Sequence, residues 1–158
     1  MTSPENFGQQ FDGYIPVFRG IPDVSSTTAL RRRAVGKHWS ASPKAAERFA
    51  NRESGITLEH MNDGGNSWKG TVIAGYVHPN DIAEPGTPEH EDLIRSRDIK
   101  LEQNKGFNEN LKPIQEDEVP IRNGATVHVV QTRDIRYTRG KSPEVKFNNL
   151  ESPIPKVL

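Results

Sequence analysis

The sequence predicts an α+β domain of short strands with a few short helices, on three observations. Segments such as YIPVFRG and GTVIAGYVH alternate or run apolar over strand-length stretches bounded by turn residues. The chain holds 13 Gly and 12 Pro against 32% hydrophobic residues, a composition of frequent turns and not of a helical bundle. In KHWSASPKAAERFA a strand passes into a helix through Ser42 and Pro43, a good N-cap followed by the residue suited to the first helical position. At 158 residues a single domain is expected, large enough to bury a core without cross-links.

Taken in order, residues 1–13 are polar and read as an arm, and 14–138 as the domain proper. Side chains alternate faces along a strand, so in YIPVFRG the residues Ile15, Val17 and Arg19 share one side and Pro16 and Phe18 the other. The stretch from Ile21 to Lys37 is polar, with a short helix expected around Ala29 to Arg33. KHWSA is a second strand, and the helix from Pro43 to about Arg52 gathers Ala45, Ala46, Phe49 and Ala50 on one stripe. Residues 51–69 read as loop. GTVIAGYVH is apolar on both faces, Val72, Ala74 and Tyr76 against Ile73 and Val77, which predicts a central strand. Thr87-Pro88-Glu89 opens a helix reaching about Ser96, and residues 98–101 suggest a short strand. EDEVPIR and ATVHVVQT flank Asn123-Gly124, a dipeptide favoured in tight hairpins, and DIRYT adds a strand. Residues 139–158, with Pro143, Pro153 and Pro155, read as an extended surface tail.

Composition narrows the function classes. Lys plus Arg equals Asp plus Glu at 21 each, so no global field gathers a polyanion, and nucleic acid is expected only through a local patch. Cysteine is absent, which excludes a disulfide framework, thiolate metal ligands and a thiol nucleophile. The five histidines show no metal-site spacing. MTSPENFGQQFDG has no basic start followed by an apolar run, and no stretch approaches the ~20 apolar residues of a membrane span, so a cytoplasmic, membrane-free monomer is expected.

Chemistry concentrates at strand ends. Residues two apart on a strand share a face, so Glu116 and Glu118 can look into one space, as can Ser40 and Ser42 with His38 beside them. Ser42 also serves as the helix cap, which leaves Ser40 as the preferred site serine. The bland account of Glu116-Asp117-Glu118 is a solvated acidic run; its place directly before VPIR favours a site. Trp39 and Phe49 are expected in the core, whereas Trp68 and Phe107 are the aromatic residues that core packing explains least. A cation, hydroxyls and paired carboxylates are the groups that hold a phosphorylated sugar and stabilise positive charge at its anomeric carbon.

VFRG at 17–20, HWSAS at 38–42 and EDE at 116–118 occur in an order that resembles the arginine-specific mono-ADP-ribosyltransferases, whose signature is an Arg on the first strand, an aromatic-Ser-x-Ser and a Glu-x-Glu. The resemblance spans residues 14–131 and includes the helix PKAAERFA and the strand-turn-strand EVPIRNGATVHVV. It implies two small packed, mainly antiparallel β-sheets forming an NAD cleft, and transfer of ADP-ribose from NAD to a macromolecule with release of nicotinamide. By the resemblance, Arg19 pairs with an NAD phosphate, the Gly20 backbone approaches the nicotinamide amide, and Ser40 orients Glu118, with Ser42 and His38 nearby. Glu118 holds the ribose and stabilises the cation left when nicotinamide departs, and Glu116 steers and deprotonates the acceptor. Glu at 116 favours a protein arginine as acceptor, with a nucleic acid still open. The loop 104–115 carrying Phe107 stands where relatives recognise substrate, and 51–69 where the phosphates are covered. The compact chain is similar to stand-alone members from bacteria and their viruses. NAD hydrolysis, or a non-catalytic NAD- or protein-binding module on the same scaffold, are the alternatives.

Overall fold

The structure, a computed structural model, describes residues 10–31, 38–51, 67–84, 86–92 and 118–158. Six strands are present among them: β1 (Ile15–Pro22), β2 (His38–Ser40), β3 (Ser67–Val77), β4 (Glu118–Pro120), β5 (Thr126–Thr138) and β6 (Glu144–Val157). They form one sheet in the order β4-β2-β1-β3-β5-β6, and every neighbouring pair is antiparallel. Two helices accompany them, α1 (Ser26–Arg31) and α2 (Pro43–Ala50). Residues 88–92 are also helical, and the Thr87 hydroxyl accepts from the N–H of His90 there at 3.3 Å. No helix among the described residues is long and apolar enough to cross a membrane.

β3 holds the central position that its two apolar faces predict. It pairs with β1 from Ile15↔Val77 to Pro22↔Gly70, and with β5 from Ser67↔Thr138 to Val77↔Val127. One face carries the main core: Val17, Ile21, Trp39, Ile73, Val77, Val119, Val127 and Val129, with Ala29 of α1 packed on it. On the opposite face α2 lies over Phe18, Val72, Ile135 and Tyr137 through Ala46 and Ala50. This packing needs Gly20 and Gly70. A β-carbon at Gly20 would collide with the carbonyl oxygen of Ala46, and one at Gly70 with that of Ala50. The helix backbone therefore rests directly on the strand backbones.

Asp134 of β5 joins four elements or segments at the start of α1. It accepts from the N–H and hydroxyl of Ser26 at 2.8 and 2.7 Å, from Asn148 of β6 at 2.9 Å and from Thr71 of β3 at 3.3 Å. Burial alone would raise its carboxyl pKa. The Ser26 hydroxyl and N–H, Asn148 and Thr71 outweigh that and hold it below the usual value.

Several expectations are corrected. In place of two packed sheets the described strands form one six-stranded sheet, β1 pairing with β3 along one edge and with β2 at Phe18↔Ser40 along the other. Asn123-Gly124 forms a turn, with Gly124 at φ 85°, but joins no hairpin. β4 pairs with β2 instead, and Ile121 bridges Ile82, so β4 and β5 are at opposite sides of β1. DIRYT is the continuation of β5 and not a separate strand. The tail is extended, as predicted, yet it is integrated as the outer strand β6, paired with β5 in two stretches, Glu144 to Asn149 and Ile154 to Val157, with a register shift between them. Its proline-bearing end suits an edge strand, where a missing N–H breaks no internal ladder. The arm ends within the fold: Phe11 is buried, stacked on Tyr76 at 5.0 Å and packed on Val130. β3 begins at Ser67, inside the predicted loop, because Trp68 stacks on Tyr137 and donates to Asn51 at 2.7 Å. Core packing thus explains Trp68. Phe49 is half-buried and not fully in the core.

Candidate active site

The three motif strands are neighbours. In the order β4-β2-β1, Glu118 lies directly across from Ser40, and Ser40 directly across from Phe18, the residue before Arg19. Directly paired residues share a face, with Cα atoms roughly 4.5–5.5 Å apart. Glu118, Ser40 and Phe18 therefore form a row on the face that α2 also occupies. Residues separated by about a hundred positions in the chain meet here through backbone pairing alone.

β2 pairs with β4 along all three of its residues but with β1 only at Phe18↔Ser40. Beyond that single pair, β1 runs on to Pro22 and β2 extends back to His38 without further pairing between them. Among the described residues the β4-β2 unit is thus joined to the other four strands by the one ladder pair Phe18↔Ser40.

Ser40 is buried, and its Oγ accepts the N–H of Ser42 at 2.9 Å. A serine hydroxyl can donate as well as accept, the complement of an acceptor-only carboxylate. Ser42 caps α2: its backbone is extended and its Oγ accepts from the N–H of Ala45 at 3.2 Å. The capping role read for Ser42 is the one its hydroxyl performs. Glu118 is half-buried at the start of β4.

Arg19 is placed differently. Alternation sends its side chain to the face of Val17 and Ile21, opposite the row of Glu118, Ser40 and Phe18, and its Nε is withdrawn from solvent. Gly20 lies under α2, so its missing side chain answers the helix and is not evidence of a nicotinamide contact. His38 pairs with Pro120 along the backbone, and its side chain lies outside the described residues. Glu116, the 104–115 loop with Phe107, the 98–101 strand and most of 51–69 also lie outside them.

One charged group on the site face was missed by the sequence. Arg133 of β5 projects on the same face as Phe18, with its guanidinium carbon 5.5 Å from the Phe18 ring centre and 5.1 Å from that of Phe147. Desolvation by burial lowers its pKa, and the nearby Glu47 carboxylate acts in the opposite sense. In QTRDIR it is one polar residue of an alternating strand, and only the sheet order brings it near Phe18.

Two cavities, of about 330 and 440 Å³, open elsewhere, at the end of β3 and β5, and share Lys69 and Arg136. Their lining balances Lys69, Arg136 and Lys146 against Asp23, Asp134 and Glu144, and includes none of the motif residues. Comparison of the chain with protein-family models, with curated proteins and with solved structures found no match.

Proposed function

We propose that the protein is an NAD-dependent mono-ADP-ribosyltransferase acting in the cytoplasm on a macromolecular acceptor, with protein arginine as the favoured target. The observation that carries this reading is the row Glu118–Ser40–Phe18 across β4, β2 and β1, which brings the Glu-x-Glu, Ser-x-Ser and Arg-bearing strands side by side.

The chemistry follows from a carboxylate fixed beside a donor hydroxyl. Ser40, itself held by the Ser42 N–H, donates to Glu118 and orients it towards the ribose of the nicotinamide side. The bond from C1′ to the pyridine nitrogen breaks, its electron pair leaves with neutral nicotinamide, and the Glu118 carboxylate stabilises the oxocarbenium ion. An acceptor guanidinium nitrogen then bonds to C1′ as Glu116 takes its proton. Were water to take the acceptor's place, the outcome would be NAD hydrolysis.

The test is incubation of the purified chain with NAD labelled in the adenylate half and a host-cell extract, following both nicotinamide release and label on protein. Glu118→Gln is expected to reduce both by about 10²–10³-fold. Glu116→Gln is expected to abolish transfer and leave slow nicotinamide release. Nicotinamide release undiminished in Glu118→Gln would remove the assigned role, and a wild-type chain that neither binds nor consumes NAD would favour a non-catalytic binding module.

A further inference from the structure

We propose that the chain pairs with a second copy of itself through the outer edge of β6, in place of the monomer expected from the sequence. The two β6 strands run antiparallel about a two-fold axis at Phe147. This interface is independent of the NAD reading. β6 is the last of the six strands and pairs with β5 alone. The large apolar side chains left exposed among the described residues, Val145, Phe147 and Val157, all belong to it, with Val145 39% and Phe147 54% exposed. A long edge strand bearing exposed apolar side chains is a template for a further strand.

The ladders fix which backbone groups of β6 point outward. The Lys69 carbonyl accepts from the N–H of Asp23 at 2.9 Å, so Lys69 directs its backbone groups towards β1. In an antiparallel sheet that direction alternates from residue to residue, so Gly70 and Val72 direct theirs towards β5. Pro16 and Pro22, which have no N–H, pair with Tyr76 and Gly70 and so occupy the β1 positions that this alternation turns away from β3. Carried through the pairs Val72↔Arg133 and Gly70↔Ile135, the alternation turns Thr132, Asp134 and Arg136 towards β6. Their partners Asn148, Lys146 and Glu144 point back to β5, and the N–H and C=O groups of Val145, Phe147 and Asn149 point out of the sheet.

A second copy fits these groups. With Phe147 on the two-fold axis, Phe147 pairs with itself and Val145 pairs with Asn149 of the other copy, in both directions, so each outward residue of the regular stretch Glu144–Asn149 exchanges both of its backbone hydrogen bonds. Moving either strand along by two residues leaves one of the three without a partner in that stretch. The Phe147 rings, each set beside an Arg133 guanidinium at 5.1 Å, then meet across the axis with Val145 beside them. Charge agrees with this pairing. The stretch holds one acid and one base, so two copies approach without net repulsion, and Lys146 faces Asn148 while Glu144 faces Leu150, which opposes no like charges. Pro143 and Pro153 bracket the stretch and confine the pairing to it. The opposite edge, β4, is three residues long, so the assembly closes as a dimer.

The test is sedimentation equilibrium of the whole chain from about 5 to about 500 µM, with circular dichroism run alongside. The wild type is expected to pass from one chain to two with a Kd of roughly 1–100 µM, as for an interface at the small end of the specific range. Phe147→Pro removes an N–H that the β5 ladder does not use and is expected to weaken association by at least about tenfold. The absence of cysteine supplies a test of register that carries the proposal if the proline variant does not fold. Position 146 of one copy faces position 148 of the other as a non-hydrogen-bonded pair, with Cα atoms about 4.5 Å apart and within reach of a disulfide. The diagonals 146 to 146 and 148 to 148, at about 7–8 Å, are beyond that reach. Under mild oxidation an equimolar mixture of Lys146→Cys and Asn148→Cys is expected to form intermolecular disulfides at least about tenfold more than either variant alone. The proposal is overturned if the wild type remains a single chain at about 500 µM, which leaves the edge to a different partner or to solvent. It is also overturned if Phe147→Pro associates as the wild type does, or if the single cysteine variants link as readily as the mixture, which would put the contact in another register or on another face.

Discussion

Replacing Asp134 tests a polar group that ties several elements together. Its carboxylate receives four hydrogen bonds, two from Ser26 and one each from Thr71 and Asn148, so it fastens α1 to β3, β5 and β6. Hydrogen bonds to a charged group contribute about 1.5–3 kcal/mol each, but these share one acceptor and two come from one residue, so they do not add. Thr71, fully buried, keeps a partner in the carbonyl of Val24 at 2.7 Å. Asp134→Ala is therefore expected to cost about 2–4 kcal/mol, or roughly 5–15 °C in Tm for a chain of this size. Asp134→Asn keeps one carbonyl acceptor and is expected to cost about half as much. Because the folded carboxyl titrates below its unfolded value, its contribution is complete above about pH 4 and is lost as the pH falls through the lowered folded value. Denaturant titrations followed by circular dichroism at pH 6.5 and pH 3 measure both effects. The wild type is expected to lose more stability than Asp134→Asn over that interval. A gap between them that stays constant, or a cost below about 1 kcal/mol for Asp134→Ala, would refute the account of this carboxylate.

Two further stability predictions concern the helix that positions Ser40. Ser42→Ala removes the cap on the Ala45 N–H and is expected to cost about 1 kcal/mol, seen as a Tm lower by about 2–4 °C; an unchanged Tm would show that the hydroxyl does not hold α2. Gly20→Ala sets a β-carbon against the carbonyl of Ala46 and the N of Ala50, so α2 must lift from β1. A loss of about 1–3 kcal/mol is expected in the denaturant midpoint, and a midpoint equal to wild type would mean that the helix does not rest on that strand as described.

Local chemistry was legible wherever one short segment contains its own cause. Ser42-Pro43 starts α2 because the cap and the fixed φ of proline act within a single turn. The two apolar faces of GTVIAGYVH foretell a buried central strand because alternation is a property of the backbone. Asn123-Gly124 misleads for the same reason: it specifies a turn but not which strand the chain pairs with after turning. EVP is three residues long, and its partner is chosen by fit against His38–Ser40 and not by the adjacent turn.

The candidate site divides along the same line. Sequence by itself determined which residue types stand at the strand ends, which neighbours share a face, and that Ser42 is committed to capping. Tertiary structure alone decided that Glu118 meets Ser40, that Arg19 falls on the core face while Arg133 comes to the site face, and that Gly20 serves a helix. The physical reason is that alternation and capping act over a few residues, whereas strand order and register are set by which apolar faces can be buried together. That outcome depends on the whole set of strands at once.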